Sequence, residues 1–111
     1  MVYFAPANPW EDVTYFLYMG GDSPHTVIDT EREDLPSILI YGDSFTNAVE
    51  CIMYCSFDEM HSLDMRYYTD MSLGDYIKKY QPDIVVCIRD YESIISTDSN
   101  GQNAGWKNKK E

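Results

Sequence analysis

The centre of the fold is predicted by the segment Ser37-Ile38-Leu39-Ile40-Tyr41-Gly42-Asp43-Ser44-Phe45-Thr46-Asn47. The apolar run near its start predicts a buried strand, and Gly42-Asp43-Ser44 predicts a tight turn out of that strand. After the turn, apolar residues recur with the period of a helix. The face that they form consists of Phe45, Ala48, Val49, Ile52 and Met53, with Ser56 as its only polar member. Ser44 is therefore expected where a strand, a turn and a helix meet.

A serine at such a junction has two interpretations. It lies at the carboxyl end of a strand, where open α/β sheets bind ligands, and free N–H groups of the following helix point towards it. An exposed hydroxyl beside amide donors is what a nucleophilic serine requires. Serine is also a favoured helix N-cap, however, and Gly-Asp-Ser is an ordinary turn composition. The sequence leaves both interpretations open.

Length and composition limit the classes of protein. The 111 residues suffice for one domain, which we place at residues 1–95, with an irregular lead-in over 1–12 and a polar, disordered tail over 96–111. The net charge of −11 argues against nucleic-acid partners. No apolar run approaches the length of a membrane span, so membrane insertion is not expected. The residue spacing predicts neither a metal site nor a cofactor.

The cysteines bear on the compartment. Three cysteines cannot all pair within one chain. Cys51 and Cys55 lie on the predicted helix, and Cys87 lies in a predicted strand. We expect buried free thiols, which favour a reducing compartment. The start of the sequence does not resemble a signal peptide.

The remaining pattern predicts an α/β domain. Further strands are expected over residues 13–18, 59–65 and 83–88, a short extended segment over 26–28, and a second helix over 73–80. Right-handed crossovers would give a parallel, flavodoxin-like sheet in a three-layer α/β/α arrangement, with the strand ending at Gly42 between those ending at Met65 and Ile88. The apolar run over 83–88 predicts a strand buried on both faces. The carboxyl ends of the strands would then gather a crevice of Asp43, Ser44, Asn47, Asp64, Arg66, Arg89 and Asp90.

Four short blocks follow one another in a characteristic order. They are Gly20-Gly21-Asp22, Gly42-Asp43-Ser44, Asp64-Met65-Arg66-Tyr67-Tyr68 and Pro82-Asp83-Ile84-Val85. Together they resemble the SGNH (GDSL-type) hydrolases, and most closely the bacterial branch that includes DHHW-type and alginate O-acetyltransferase-like proteins. The resemblance extends over residues 16–95 and implies a partial SGNH-hydrolase fold. It also implies acyl transfer or deacylation on an acylated carbohydrate, with Ser44 as the nucleophile.

The resemblance further implies a longer protein. In this family an Asp-His dyad lies well upstream of the serine, so the sequence would be the C-terminal half of a complete member or a shortened reading frame. Family members are usually extracytoplasmic, whereas the free cysteines and the missing export signal suggest otherwise. The localisation is therefore left open.

Acyl transfer by a serine needs a general base, and the base needs an orienting partner. Of the two histidines, His25 follows Asp22 in Asp22-Ser23-Pro24-His25, a string like the acid–base block of many GDSL enzymes but placed before the serine. We consider Asp22 and His25 a candidate catalytic pair, and the alternative is a histidine in a surface turn. His61, early in a strand, is expected to be structural.

Further candidates surround the serine. The oxyanion donors would be the amides of Ser44 and of Gly20 or Gly21, together with the side chain of Asn47. Arg89-Asp90 is expected as an ion pair at a strand end, or alternatively as a pair that orients the substrate.

Three hypotheses of function follow. The first is an SGNH-like serine esterase or O-acyltransferase domain acting on an acylated glycan, incomplete without the upstream dyad. The second is a non-catalytic module that binds a partner or forms a homodimer, because so small a sheet exposes its edges. The third is a receiver-like phosphate or metal site at Asp43 and Asp90, although Asp43 is expected first of all as a structural turn residue.

Overall fold

The computed structural model describes residues 20–91. Its elements, in chain order, are β1 (His25–Asp29), β2 (Ile38–Gly42), α1 (Phe45–Met53), a 3₁₀ turn (Tyr54–Ser56), β3 (Glu59–Asp64), α2 (Leu73–Tyr80) and β4 (Ile84–Ile88). The four strands form one sheet in the order β1-β3-β2-β4. The predicted position of the strand ending at Gly42, between the two strands that follow it in sequence, is confirmed.

The sheet is mixed. β2 pairs in parallel with both β3 and β4, as right-handed crossovers predict. β1 pairs antiparallel with β3, from His25 opposite Leu63 to Asp29 opposite Glu59. The prediction of an entirely parallel sheet is therefore wrong at this edge. The loop over residues 30–37 is too short for the crossover that a parallel connection from β1 would need.

The two helices cover opposite faces of the sheet. On one face, Leu39 of β2 belongs to a buried cluster with Leu73 and Tyr76 of α2. On the other face, Ile40 of the same strand belongs to a cluster against which Val49 of α1 packs. Successive residues of β2 thus enter two different cores, as the alternation of a strand requires. The predicted three-layer α/β/α arrangement is confirmed.

The second helix has the predicted boundaries. Ser72 has an extended backbone, and its hydroxyl oxygen accepts a hydrogen bond from the amide of Asp75 at 3.1 Å. At the other end Gln81 adopts the left-handed conformation, with φ of 47°, immediately before Pro82. These residues form an N-cap and a C-cap, which explain why the helix begins and ends where the sequence predicted.

The first helix begins as predicted but turns a different side to the sheet. Its buried residues are Thr46, Asn47 and Glu50, whereas Phe45 and Ile52, from the predicted apolar face, are 46% and 74% exposed. The buried residues are centred more than roughly a third of a turn from the predicted face, since successive residues are about 100° apart, and only Val49 and Met53 of that face still pack against the core. Two of these polar residues are compensated by hydrogen bonds, Glu50 with Ser62 of β3 and Asn47 with Asp22 before β1.

The last strand also differs from the prediction. β4 lies at the edge of the described sheet, and Ile84 and Val85 are 39% and 42% exposed instead of buried on both faces. A continuous apolar run is typical of central strands, but the strand order decides the burial. The three cysteines are free, as expected, yet Cys55 and Cys87 are exposed rather than buried.

Several predictions lie outside the described residues: the lead-in over 1–12, the strand over 13–18, the tail over 96–111 and the outer limit of the domain. Within residues 20–91, neither helix has the length and apolar character needed to cross a membrane.

Candidate active site

The corner after β2 requires a glycine. A Cβ atom on Gly42 would lie 1.7 Å from the carbonyl oxygen of Ile88 in β4, far inside van der Waals contact. The absence of a side chain lets the ends of the two strands approach each other, and the amide of Asp43 donates to the same Ile88 oxygen at 3.4 Å. The glycine of the Gly-Asp-Ser block therefore holds the corner against β4.

Asp43 is the residue that ties the corner to its surroundings. One carboxylate oxygen accepts from the amide of Phe45 at 3.0 Å, and the other accepts from the amide of Asp90 at 2.9 Å. The residue is 4% exposed. The first contact satisfies one of the free N–H groups at the start of α1, so it is a helix-capping hydrogen bond. Asp43 is thus a structural turn residue.

Ser44 occupies the N-cap position without using its hydroxyl as a cap. Its backbone is already helical, with φ of −60° and ψ of −13°, and its side chain makes no capping hydrogen bond. Its carbonyl oxygen accepts from the amide of Asn47 at 3.2 Å, and the residue is half-buried. Within residues 20–91 the hydroxyl has no hydrogen-bond partner, and it stands at the positive end of the α1 dipole.

A glycine turn is attached beside the first turn of α1. Gly20 and Gly21 have φ values of 82° and 106°, a region that favours glycine. The carboxylate of the next residue, Asp22, accepts from Asn47 Nδ2 at 2.7 Å and from an Arg66 guanidinium nitrogen at 2.9 Å. Asp22 thereby joins the glycine turn to α1 and to the segment after β3.

Arg66 is held on two sides by carboxylates. Besides Asp22, it donates to Asp64 through Nε at 2.9 Å and through Nη2 at 2.5 Å. Asp64 is 2% exposed, and its hydrogen bonding with the guanidinium raises the pKa of Arg66 further above its usual value. The buried carboxylate is thus paired with a permanent cation, the arrangement that offsets its desolvation.

The two histidines lie on the α2 face of the sheet. His25 Nε2 is 2.8 Å from the Tyr76 hydroxyl, and His61 Nδ1 is hydrogen-bonded to the same oxygen. On its other side His61 Nε2 lies 3.3 Å from a Glu59 carboxylate oxygen. Tyr76 is fully buried. Burial, followed by the nearby His61, lowers the pKa of His25 below its ordinary 6.5, and Asp70 opposes this shift.

The structure brings some of the predicted site residues together and separates others. Asp22 and Asn47 meet beside the Ser44 turn, whereas Asp22 and His25 have different partners. Their catalytic roles stay predictions, and His25 is hydrogen-bonded to Tyr76 in this structure.

Arg89 and Asp90 follow β4 at the same corner, where Asp90 contributes its backbone amide to Asp43. Both Asp43 oxygens are occupied by amides, which disfavours the receiver-like site, and residues 20–91 contain no cluster of three or more metal-ligating side chains. The ion pair between Arg89 and Asp90 stays a prediction.

Sequence reasoning missed the Tyr76 cluster and the contact between Glu50 and Ser62, whose side chains meet at 2.5 Å in the interior. Both join residues from different elements, and no local pattern marks them. A single signal was available for Tyr76, its place on the apolar face of α2.

No protein-family model matches this sequence, and neither does any curated protein. Solved structures do match, and they place the fold in the SGNH-like class of α/β domains.

The chain is related to the DHHW-type proteins within this class. It superposes on a DHHW family protein from Eubacterium siraeum with a TM-score of 0.72 and 28% identity, over 84% of this chain and 31% of that one. Bacillus cereus PatB1 gives a TM-score of 0.62 and 26% identity over 70% of this chain and 26% of that one. A PatB1 structure with a sulfonyl adduct gives 0.60 and 27%, over 67% and 25%. The relationship predicted from the four blocks is confirmed, and the chain spans between a quarter and a third of the solved chains it matches.

Proposed function

We propose that this chain is the nucleophile-bearing part of an SGNH-like acyltransferase or esterase that acts on an acylated carbohydrate. Ser44 Oγ attacks the acyl carbonyl carbon, and the ester bond to the sugar oxygen breaks. The serine proton passes through a general base to the departing sugar oxygen. Water or the hydroxyl of a second sugar then takes the acyl group from the serine, which releases an acid or a newly acylated product.

One observation carries the proposal: the side chain of Asp43, not that of Ser44, caps α1. A serine that served only as an N-cap would turn its oxygen to the amides of the first helical turn, as Ser72 does at α2. Here Asp43 caps the helix, and the serine hydroxyl remains available between the end of β2 and the start of α1. This placement between a strand and a helix is that of a nucleophilic serine, although the backbone of Ser44 is helical and unstrained.

The glycine turn is the proposed source of oxyanion stabilisation. The amides of Ser44 and Gly21 are the proposed donors, and Asp22 keeps the turn beside α1 through its bond to Asn47. Asn47 would then position the turn with one amide hydrogen and offer the other to the substrate. Loss of a single donor of this kind typically lowers turnover by about 100- to 1000-fold. Arg89 and Asp90 are the proposed substrate-orienting residues at the far side of the corner.

The general base is the remaining part of the mechanism. We assign it to a segment outside residues 20–91, because His25 and His61 are both hydrogen-bonded to Tyr76 on the opposite face from α1. A serine enzyme without its base loses on the order of 10⁴ in turnover. Residues 20–91 therefore supply the nucleophile and the donors, and the base completes the site.

Reaction with an aryl sulfonyl fluoride tests the nucleophile, and a structural neighbour that holds a sulfonyl adduct motivates the reagent. Ser44 Oγ attacks the sulfur, fluoride leaves, and the serine proton goes to added imidazole, which stands in for the base. We expect a single adduct at Ser44, formed at least about tenfold faster with imidazole than without it. The measurement is intact-mass and peptide-resolved mass spectrometry, and the Ser44→Ala variant is the negative control.

The same experiment separates the two assignments of the base. His25→Gln is expected to leave the rate at Ser44 within about twofold, whereas a loss of tenfold or more would identify His25 as the base. Absence of any adduct at Ser44, with imidazole present and the protein folded, would remove the proposed nucleophile. For the substrate class, an O-acetylated oligosaccharide with imidazole should give an acetyl adduct on Ser44. If Ser44 reacts with the sulfonyl fluoride but not with the sugar ester, only the carbohydrate assignment is removed.

A further inference from the structure

β4 has an unusual composition for a strand with an exposed edge. All five of its residues are apolar, Ile84-Val85-Val86-Cys87-Ile88, without the lysine or proline that commonly protects an edge. Ile84 and Val85 are 39% and 42% exposed, and Cys87 is exposed as well. In the described part of the chain, β4 has a partner, β2, on one side only.

The hydrogen bonds to β2 fix which groups of β4 point outwards. The amide of Ile84 donates to Ser37, and the carbonyl of Ile88 accepts from Asp43, so even-numbered residues bond inwards. In a strand, alternate residues direct their backbone groups to opposite sides. The N–H and C=O groups of Val85 and Cys87 therefore point to the open edge.

We propose that β4 is a dimer interface, on which β4 of a second copy of this chain pairs antiparallel about a two-fold axis at Val86. This register places Val85 opposite Cys87 of the second copy, so the outward-pointing groups form hydrogen-bonded pairs. Val86 meets its own counterpart in a non-hydrogen-bonded pair, and Ile84 lies opposite Ile88 of the second copy. The two sheets become one, and each covers the other's exposed edge.

The charged residue before the strand is engaged on the inner side. Asp83 precedes β4, and its carboxylate accepts from the amide and the hydroxyl of Ser37, beside β2, both at 2.8 Å. The open edge of β4 is therefore left to apolar residues. A second copy matches this edge in hydrogen bonding and in apolar character.

Cross-linking tests the register directly. Val86→Cys, in a background with the three native cysteines changed to serine, places two thiols at the two-fold axis with Cα atoms about 4.5 Å apart, within disulfide range. We expect a covalent dimer under mild oxidation. Val27→Cys, on the opposite edge strand β1, replaces a valine that is 47% exposed and is expected to remain monomeric.

Sedimentation of the unmodified chain over the micromolar range tests the interface without cross-linking. We expect a concentration-dependent dimer whose dissociation constant rises at least about tenfold in Val85→Lys and stays unchanged in Val27→Lys. Circular dichroism checks that both variants fold. A strictly monomeric chain, a dimer indifferent to Val85→Lys, or equal cross-linking at positions 27 and 86 would each overturn the proposal. None of these outcomes bears on Ser44.

Discussion

The two helices pack on opposite faces of one sheet, but they do so with different chemistry. α2 buries Leu73 and Tyr76, and Ser72 caps its start. α1 buries Thr46, Asn47 and Glu50, exposes Ile52, and leaves its N-cap hydroxyl without a capping bond. The first is an ordinary amphipathic helix. The second packs Val49 and Met53 against the core but also buries polar residues, of which Asn47 and Glu50 are hydrogen-bonded to other parts of the fold.

The two helices are therefore held in place in different ways. Burial of apolar side chains is non-directional and holds α2 against the sheet, whereas the hydrogen bonds of α1 fix its rotation and the position of its first turn. A nucleophile needs a fixed position more than a large buried area. The helix that presents Ser44 is thus the one held by directional contacts.

The largest expected effect separates the two apolar faces. Leu73→Ala should lower the free energy of unfolding by about 3 kcal/mol, because Leu73 is 1% exposed and its loss leaves a cavity. Ile52→Ala, on the exposed stripe of α1, should change it by less than about 0.5 kcal/mol. Urea denaturation of the two variants measures this contrast. Equal losses would mean that Ile52 is buried after all.

The polar attachment of α1 has its own test. Glu50→Ala should cost about 2 kcal/mol, because it leaves the Ser62 hydroxyl buried without its acceptor. Glu50→Gln keeps an acceptor and should cost less. In a double-mutant cycle by urea denaturation, Glu50→Ala and Ser62→Ala should couple by about 1 kcal/mol. Additive losses would show that the contact does not hold the helix.

The helix caps give a smaller contrast. Ser72→Ala should lower the free energy of unfolding by about 1 kcal/mol, the usual cost of losing a capping hydroxyl. Ser44→Ala should lower it by less than about 0.5 kcal/mol, since Asp43 caps α1 instead. The two variants are matched in chemistry and in helix position, so thermal unfolding compares them directly. A larger loss at Ser44 would restore its interpretation as a structural cap.

The smallest expected effect concerns pH and the α2 face. The folded protein favours neutral His25, because burial lowers its pKa below the ordinary value of 6.5. Its contribution to stability is therefore complete above about pH 6.5 and is lost as the pH falls below that value. From pH 7 to 5, the free energy of unfolding should fall more steeply in the wild type than in His25→Gln. Parallel pH profiles, or an NMR titration of His25 with a midpoint above 6.5, would contradict this assignment.

Sequence patterns predicted those features of the fold that depend on local spacing. The strand before Gly42, the start of α1, both ends of α2 and the central place of β2 follow from apolar periods, caps and crossover handedness. The rotation of α1 could not be predicted, because it depends on Glu50 meeting Ser62 and on Asn47 meeting Asp22 across the fold. The exposure of β4 could not be predicted either, because it depends on the order of the strands in the sheet.

The candidate site was predicted in part for a similar reason. The Gly42-Asp43-Ser44 corner is local, and the sequence identified it. The string Asp22-Ser23-Pro24-His25 suggested an acid–base pair, but Asp22 bonds to Arg66, which lies 44 residues away in the sequence. A carboxylate pairs with the cation that lies closest to it, and only the folded chain determines which cation that is.

The most direct measurement compares two serines of one molecule. Ser44 and Ser72 both precede a helix, and they differ in whether the hydroxyl is used as a cap. After treatment of the wild-type chain with an aryl sulfonyl fluoride and imidazole, peptide-resolved mass spectrometry gives the ratio of the two adducts. A free nucleophile at the corner predicts at least about tenfold more adduct at Ser44 than at Ser72. Equal or lower modification of Ser44 would contradict it.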